Sequence, residues 1–137
     1  MSVALAAVTE QPIATAEVER AVLTVADGAL VTFRGVVRDG DDGRAVTALD
    51  YSAHPEAERF LQESCSRIAS ATGLTVAAVH RVGPLAIGDV ALVAVVASPH
   101  RAEAFEACAR LVDDIKTSVP IWKRQHYADG VSDWVGL

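Results

Sequence analysis

No apolar run in this chain is long enough to cross a bilayer. The longest, Val90 to Ala97, is closed by Asp89 before it and by Pro99 and His100 after it, far short of the ~20 residues a spanning helix needs. The N-terminal stretch has no basic region ahead of its short apolar run, so no export signal is read there. The expectation is a cytoplasmic protein with no membrane partner. Cysteine is scarce: Cys65 and Cys108 lie far apart and form no CxxC or Cys/His cluster. Both are expected as buried or half-buried free thiols of a reducing compartment. Neither has neighbours that would lower a thiol pKa. There is no P-loop, GxGxxG, HExxH or GxSxG, and no metal site or cofactor is expected. Repeats, low-complexity tracts and linkers are missing too, and 137 residues fit one domain, 1–137, with a single core.

Positive charge is also in deficit. Twelve Lys and Arg stand against eighteen Asp and Glu, a net charge of −6, which argues against a nucleic-acid binder. The average hides an asymmetry. Asp39, Asp41 and Asp42 form an acidic patch, whereas Lys116, Lys123, Arg124 and His126 form a basic one. A small cationic pocket on an acidic protein suits a small anionic ligand better than a polymer.

The elements that are present follow from periodicity. Val3 to Val8 reads as a strand. Thr15 reads as the N-cap of a helix over Ala16 to Val25, ended by Asp27-Gly28. Ala29 to Val37 and Ala45 to Tyr51 read as strands joined by the turn-rich loop Arg38 to Arg44, a predicted hairpin. Pro55 opens a helix that runs to Thr72, with Phe60 among its inward residues and Gly73 past its end. Leu74 to Val82 and Val90 to Ala97 are strands, with GPLAIGD as the turn between them. Ser98-Pro99 starts a helix that runs to Ser118, with Phe105, Cys108, Val112 and Ile115 on one face, and Pro120 stops it. Ile121 to Tyr127 is extended, and a last strand runs through Trp134. Connections this short favour an α+β fold, a mainly antiparallel sheet with covering helices, over a parallel doubly wound one.

Chemistry concentrates near the C-terminus. Lys116 lies in the last turn of its helix, where the dipole favours a cation, so a solvated lysine explains it as well as a functional one. Lys123 follows the stiff apolar run Val119-Pro120-Ile121-Trp122. Its stem is either a cover over apolar surface or the support of an amine whose pKa is lowered for use. Ser98-Pro99-His100-Arg101 is a strand-to-helix junction. There Ser98 caps the helix while His100 and Arg101 face solvent, or the two complete an anion site at the exposed amides. Arg38, at the mouth of a glycine-rich loop, is a surface arginine or a phosphate or carboxylate ligand. His80 and Arg81 read as structural, one inward and one outward.

Four segments together resemble the large, catalytic subunits of molybdopterin synthase, the MoaE family: Gly28 to Arg38 (GALVTFRGVVR), Val79 to Asp89 (VHRVGPLAIGD), Ser98 to Phe105 (SPHRAEAF) and Asp114 to Lys123 (DIKTSVPIWK). They keep the family's order and spacing from Gly28 to Trp134. The resemblance implies an α/β-hammerhead-like domain that forms a homodimer within a heterotetramer, with a small ubiquitin-like sulfur-carrier subunit at each end. It implies a sulfurtransferase that moves sulfur from the carrier's C-terminal thiocarboxylate to cyclic pyranopterin monophosphate, making the dithiolene of molybdopterin. The positions matching Lys116 and Lys123 are then the catalytic pair. Phe33, Arg38, His100 and Arg101 line or complete the substrate pocket, some of them across the dimer interface. Two departures from the family's pattern stand out: Ser52 where a glutamate often follows the tyrosine, and Gln125 where a glutamate often follows the lysine-arginine pair. The competing expectation is a non-catalytic module that binds a ubiquitin-like tail or a small phosphate ligand.

Overall fold

The two most apolar stretches of the chain become the centre of a sheet covered on both faces. The computed structural model describes residues 2–41 and 43–136; Asp42, one of the three acidic loop residues, lies outside them. In chain order the elements are β1 (Ser2–Thr9), α1 (Thr15–Val22), β2 (Ala29–Val36), β3 (Gly40–Asp41), β4 (Arg44–Ala53) and α2 (Ala57–Thr72). Then come β5 (Thr75–Arg81), β6 (Gly83–Ala86), β7 (Val90–Ser98), α3 (Arg101–Ser118), β8 (Ile121–Tyr127) and β9 (Ser132–Gly136). The fold is α+β, with two mainly antiparallel sheets and covering helices.

The first sheet has the order β1-β5-β7-β2, with β1 parallel to β5 and the other pairs antiparallel. One face of β5 and β7, Ala77, Val79, Val93, Val95 and Ala97, packs on Val18 and Val22 of α1. The other face, Val76, Ala78, Leu92, Ala94 and Val96, packs on α2 and α3 through Leu61, Cys65, Leu111 and Ile115. Burial on both faces is why these strands read as continuous apolar runs rather than alternating ones. Helices α2 and α3 are braced by Arg67, whose Nη2 donates to Asp114 at 2.6 Å, while the buried Ser64 hydroxyl donates to the same carboxylate at 2.6 Å.

The second sheet runs β3-β4-β8-β9, with β6 paired to the other edge of β4. Its inner face contributes Val46, Leu49, Leu85 and Tyr127 to a smaller cluster, and Tyr51 touches both this cluster and the main one. The chain passes from the first sheet to the second between β5 and β6, so Arg81 and Gly83 mark the seam.

Several expectations are corrected. The hairpin of Ala29 to Val37 with Ala45 to Tyr51 does not form. β2 pairs instead with β7 over an apolar register from Ala29↔Ser98 to Val36↔Val90, and β4 pairs with β6 and β8. A buried partner strand outcompetes a local turn, and only the two-residue β3 closes back onto Arg44 and Ala45. Part of the expected GPLAIGD turn is strand β6, with Pro84 on an edge where its missing N–H is tolerated. Thr15 is the first residue of α1 rather than its cap, and α1 ends at Val22. Helix α3 starts at Arg101, two residues after Pro99; the His100 N–H donates to Ser98 Oγ at 3.2 Å. Phe105 is 63% exposed rather than part of the core. The end of α2 is as expected, with Gly73 at φ 73° in the left-handed cap position. Cys65 and Cys108 are buried free thiols, and burial pushes Cys65 up to about 12. No helix of the described residues is long and apolar enough to cross a membrane.

Candidate functional site

Pro120 ends α3 and sends the chain into β8, where side chains alternate between two faces. Ile121, Gln125 and Tyr127 are buried on the inner face, and Lys123 shares that row, half-buried. Trp122 and Arg124 take the outer face, with the Arg124 guanidinium 5.8 Å from the Trp134 ring of β9. An ammonium in a core-facing row is poorly hydrated, so burial holds the Lys123 pKa below the usual lysine value. Lys116 depresses it further and Arg38 adds slightly, while Asp41 opposes both.

Those causes describe the neighbourhood. Lys116 sits exposed in the last turn of α3, and its charge is felt by both Lys123 and His80. Arg38 follows β2 and is 78% exposed along its side chain; its Nη2 lies 3.4 Å from Asp41 Oδ1. The other Asp41 oxygen accepts from the Gln125 side-chain amide at 2.7 Å, and that amide also reaches the Tyr127 hydroxyl at 3.1 Å. Tyr51 stands opposite Lys123 in the β4–β8 register. His80, 2% exposed, meets the Tyr51 ring edge-on at 5.1 Å. Burial is the main cause that takes its pKa down to about 4, with Lys116 adding to it, against the contact of Nδ1 with the Arg81 carbonyl oxygen at 2.7 Å. The imidazole is therefore neutral at physiological pH.

The sequence candidates thus divide. Lys116, Lys123 and Arg38 gather at the C-terminal end of α3. His100 and Arg101 lie at its other end, roughly 22 Å away along the axis at 1.5 Å per residue. There they line a surface groove of about 400 Å³ with Gly28, Ala29 and Glu103. A Cβ on Gly28 would lie 3.0 Å from the Pro99 carbonyl oxygen, so a larger residue there would have to push that backbone aside. Phe33, half-buried on β2, lines a separate hollow of about 360 Å³ with Val31, Phe105, Cys108 and Val112. Within one chain, His100, Arg101 and the two lysines do not converge.

Sequence reasoning passed over four residues of the lysine neighbourhood: Tyr51, His80, Asp41 and Gln125. The alternation Ile121, Lys123, Gln125, Tyr127 was a usable signal, since a two-residue period places Gln125 on the same face as Lys123. Nothing local in the sequence tied Asp41 to Gln125 or Tyr51 to His80. Beside Ser118 and Pro120, between the two lysines along the chain, lies an apolar groove of about 420 Å³ lined also by His54, Phe60 and Trp122. Among the described residues, no three His, Cys, Asp or Glu side chains are grouped to hold a metal ion. The arrangement offers two ammonium groups, the charge of one felt by the other and one with easier access to its neutral form, plus an exposed guanidinium paired with Asp41. It can bind an anion and stabilise or exchange a proton with charge that develops on it.

Comparison with known proteins gives a consistent result. The model of the MoaE protein family matches residues 8–118. The chain is 37% identical over 134 residues to the molybdopterin synthase catalytic subunit of Nostoc sp., covering 96% of this chain and 81% of that one. It is 42% identical over 130 residues to molybdopterin synthase catalytic subunit 1 of Mycobacterium tuberculosis, covering 93% and 88%. The crystal structure of molybdopterin synthase from Staphylococcus aureus is similar with a TM-score of 0.88 and 36% identity, covering 95% and 96%.

Proposed function

The chain belongs to the MoaE family, and from that premise we propose that it is the catalytic subunit of a molybdopterin synthase. It transfers sulfur from the C-terminal thiocarboxylate of a small ubiquitin-like carrier to cyclic pyranopterin monophosphate, forming the dithiolene of molybdopterin. The observation that carries this reading is the convergence of Lys116 and Lys123, the second on a core-facing row with a depressed pKa.

The roles follow from position. The carrier's tail approaches along the apolar groove at Pro120, which lies next to Ser118 and so to the end of α3. Lys116, exposed in the last turn of α3, holds the tail's terminal carbonyl. Lys123 stabilises the oxyanion that forms when the acyl–sulfur bond is made or broken, and exchanges a proton with the reacting pterin. Arg38 is exposed enough to reach a phosphate, which it binds by charge-assisted hydrogen bonds. Because one chain keeps His100 and Arg101 far from its own lysines, a second copy supplies them. The working unit is then a homodimer with a carrier at each end, a heterotetramer in the cytoplasm, and Phe33 lies toward the shared pocket.

The test is reconstitution. Purified chain, thiocarboxylated carrier and cyclic pyranopterin monophosphate are mixed, and molybdopterin is measured. Product is expected; carrier binding without product would instead identify a non-catalytic module for a ubiquitin-like tail.

A further inference from the structure

Tyr51 has no role in the reading above, yet the backbone sets it directly beside Lys123. It is opposite Lys123 in the β4–β8 register and opposite Gly83 in the β4–β6 register. Directly opposed residues of an antiparallel pair project to one face with Cβ atoms about 4.5–5.5 Å apart. On one flank the Tyr51 ring therefore has the Lys123 side chain, and on the other a glycine that puts nothing beside it.

The ring is held by an unusual neighbour. His80 packs edge-on against it, with centroids 5.1 Å apart and planes at 69°. His80 is itself pinned: it is 2% exposed, and its Nδ1 lies 2.7 Å from the Arg81 carbonyl oxygen. That contact requires the proton on Nδ1, so the tautomer is fixed and the ring cannot turn without losing the bond. A residue whose only task was to fill this space would need no such support.

The Tyr51 hydroxyl, by contrast, is uncommitted. Among the described residues no protein group hydrogen-bonds it. Among the described residues the fully buried side-chain polar atom left without a partner is Arg81 Nε, not the Tyr51 oxygen, so that oxygen keeps some contact with solvent. Partial burial also pushes the phenol pKa above its ordinary value, which keeps the group a donor at neutral pH.

We infer that Tyr51 is a further catalytic residue of the sulfur-transfer site, its hydroxyl donating a hydrogen bond to the carrier's acyl oxygen as negative charge builds there, and that His80 is the positioning residue that aims it. The inference rests on the sulfurtransferase reading. No bond is made to Tyr51 and no proton leaves it. Phenol and ammonium form a two-donor cradle, the arrangement that stabilises an acyl oxyanion best when both donors are preorganised.

The experiment is single-turnover sulfur transfer with the full chain and thiocarboxylated carrier. Tyr51→Phe keeps the ring and is expected to slow transfer at least tenfold, with carrier affinity and thermal midpoint unchanged. A rate within twofold of the unsubstituted chain overturns the inference. A difluorotyrosine placed at position 51 keeps the fold and acidifies the hydroxyl; the alkaline limb of the rate–pH profile is expected to move down, and an unmoved limb also overturns it. His80→Asn is expected to lower kcat with little change in KM, and to add nothing in a Tyr51→Phe background. Multiplying losses would remove His80 from the positioning role. If the unsubstituted chain makes no molybdopterin, the sulfurtransferase reading itself fails; if it is active and Tyr51→Phe equals it, this inference alone fails.

Discussion

Gln125 donates its side-chain amide to the Asp41 carboxylate at 2.7 Å, tying the short strand β3 to the strand that carries Lys123. The contact is nearly closed to solvent at the glutamine, which is 4% exposed. It fixes a carboxylate where its field acts on Lys123 against the fields of Lys116 and Arg38. Lys123 is therefore balanced between neighbours of opposite sign, and its protonation depends on both.

Removing one neighbour at a time should move the Lys123 titration in opposite directions. Lys116→Ala takes away a like charge and raises its pKa. Asp41→Asn takes away the opposing charge, while its amide oxygen still accepts from Gln125, and lowers the pKa further. Carbon-13 shifts of the lysine Cε, followed against pH, read both. Movement in the same direction in the two variants would contradict the electrostatic picture.

On activity, Lys116→Ala and Lys123→Ala are each expected to reduce single-turnover sulfur transfer by about a hundredfold or more, the scale for losing one preorganised charged donor. Circular dichroism should show an unchanged fold. Near-normal rates in both variants would sink the assignment of the lysine pair.

If His100 and Arg101 serve the lysines of a second copy, two inactive variants should rescue each other. Equal mixing of Lys123→Ala and Arg101→Ala chains, after subunit exchange, leaves one intact site in each mixed dimer. Activity should return to roughly a quarter of the unsubstituted level on random pairing. No recovery, with exchange verified by mass, would place the two groups in separate functions.

His80 predicts an acid-side loss of stability. Its folded pKa, about 4, lies below the unfolded value of 6.5. Between those pH values the unfolded chain takes up a proton that the folded chain refuses, so stability falls as pH drops from 6.5 toward 4 and levels off below. The gap corresponds to about 3 kcal/mol. Urea midpoints from pH 7 to pH 4.5 should fall less steeply in His80→Asn than in the unsubstituted chain. Equal slopes would mean that His80 titrates normally.

Asp114→Ala removes the acceptor shared by Arg67 and the fully buried Ser64 hydroxyl. The exposed part of the ion pair contributes little, but Ser64 loses its acceptor, leaving about 1–3 kcal/mol of destabilisation. Thermal unfolding should show it as a lowered midpoint. Replacing Ser64 with Ala in the same background should recover part of the loss, because the stranded hydroxyl goes with it.

The sequence shows helices and strands well where one local rule dominates. Gly73 after an amphipathic run and Pro120 after another place the ends of α2 and α3 correctly. It misleads where a distant partner outbids a near one: the loop at residues 38–44 looks like a hairpin, but β7 offers β2 a buried register that β4 does not. The site behaves the same way. Lys116 and Lys123 can be found because Pro120 constrains the chain between them. Asp41 and Tyr51 reach Lys123 only through sheet pairing, and His80 is hidden inside a strand whose apolar neighbours make it look structural. The separation of His100 and Arg101 from the lysines follows from the length of α3, which the sequence also supplies, and the resemblance had allowed some pocket residues to come from across a dimer interface.

Both tryptophans and both tyrosines of the chain, Trp122, Trp134, Tyr51 and Tyr127, belong to the second sheet, on β4, β8 and β9. The first sheet and its helices carry only phenylalanines, at Phe33, Phe60 and Phe105. Ultraviolet emission from this protein therefore comes mainly from the second sheet, where Tyr51 alone of the four also touches the larger core, and reports on the strand that bears Lys123. Trp122 is its immediate neighbour in the chain, and Trp134 lies opposite Arg124 one strand away. Quenching or a colour shift on mixing with a partner would be an optical signal from the site itself, with no label added. Comparison with far-ultraviolet dichroism would then show whether the two sheets melt together.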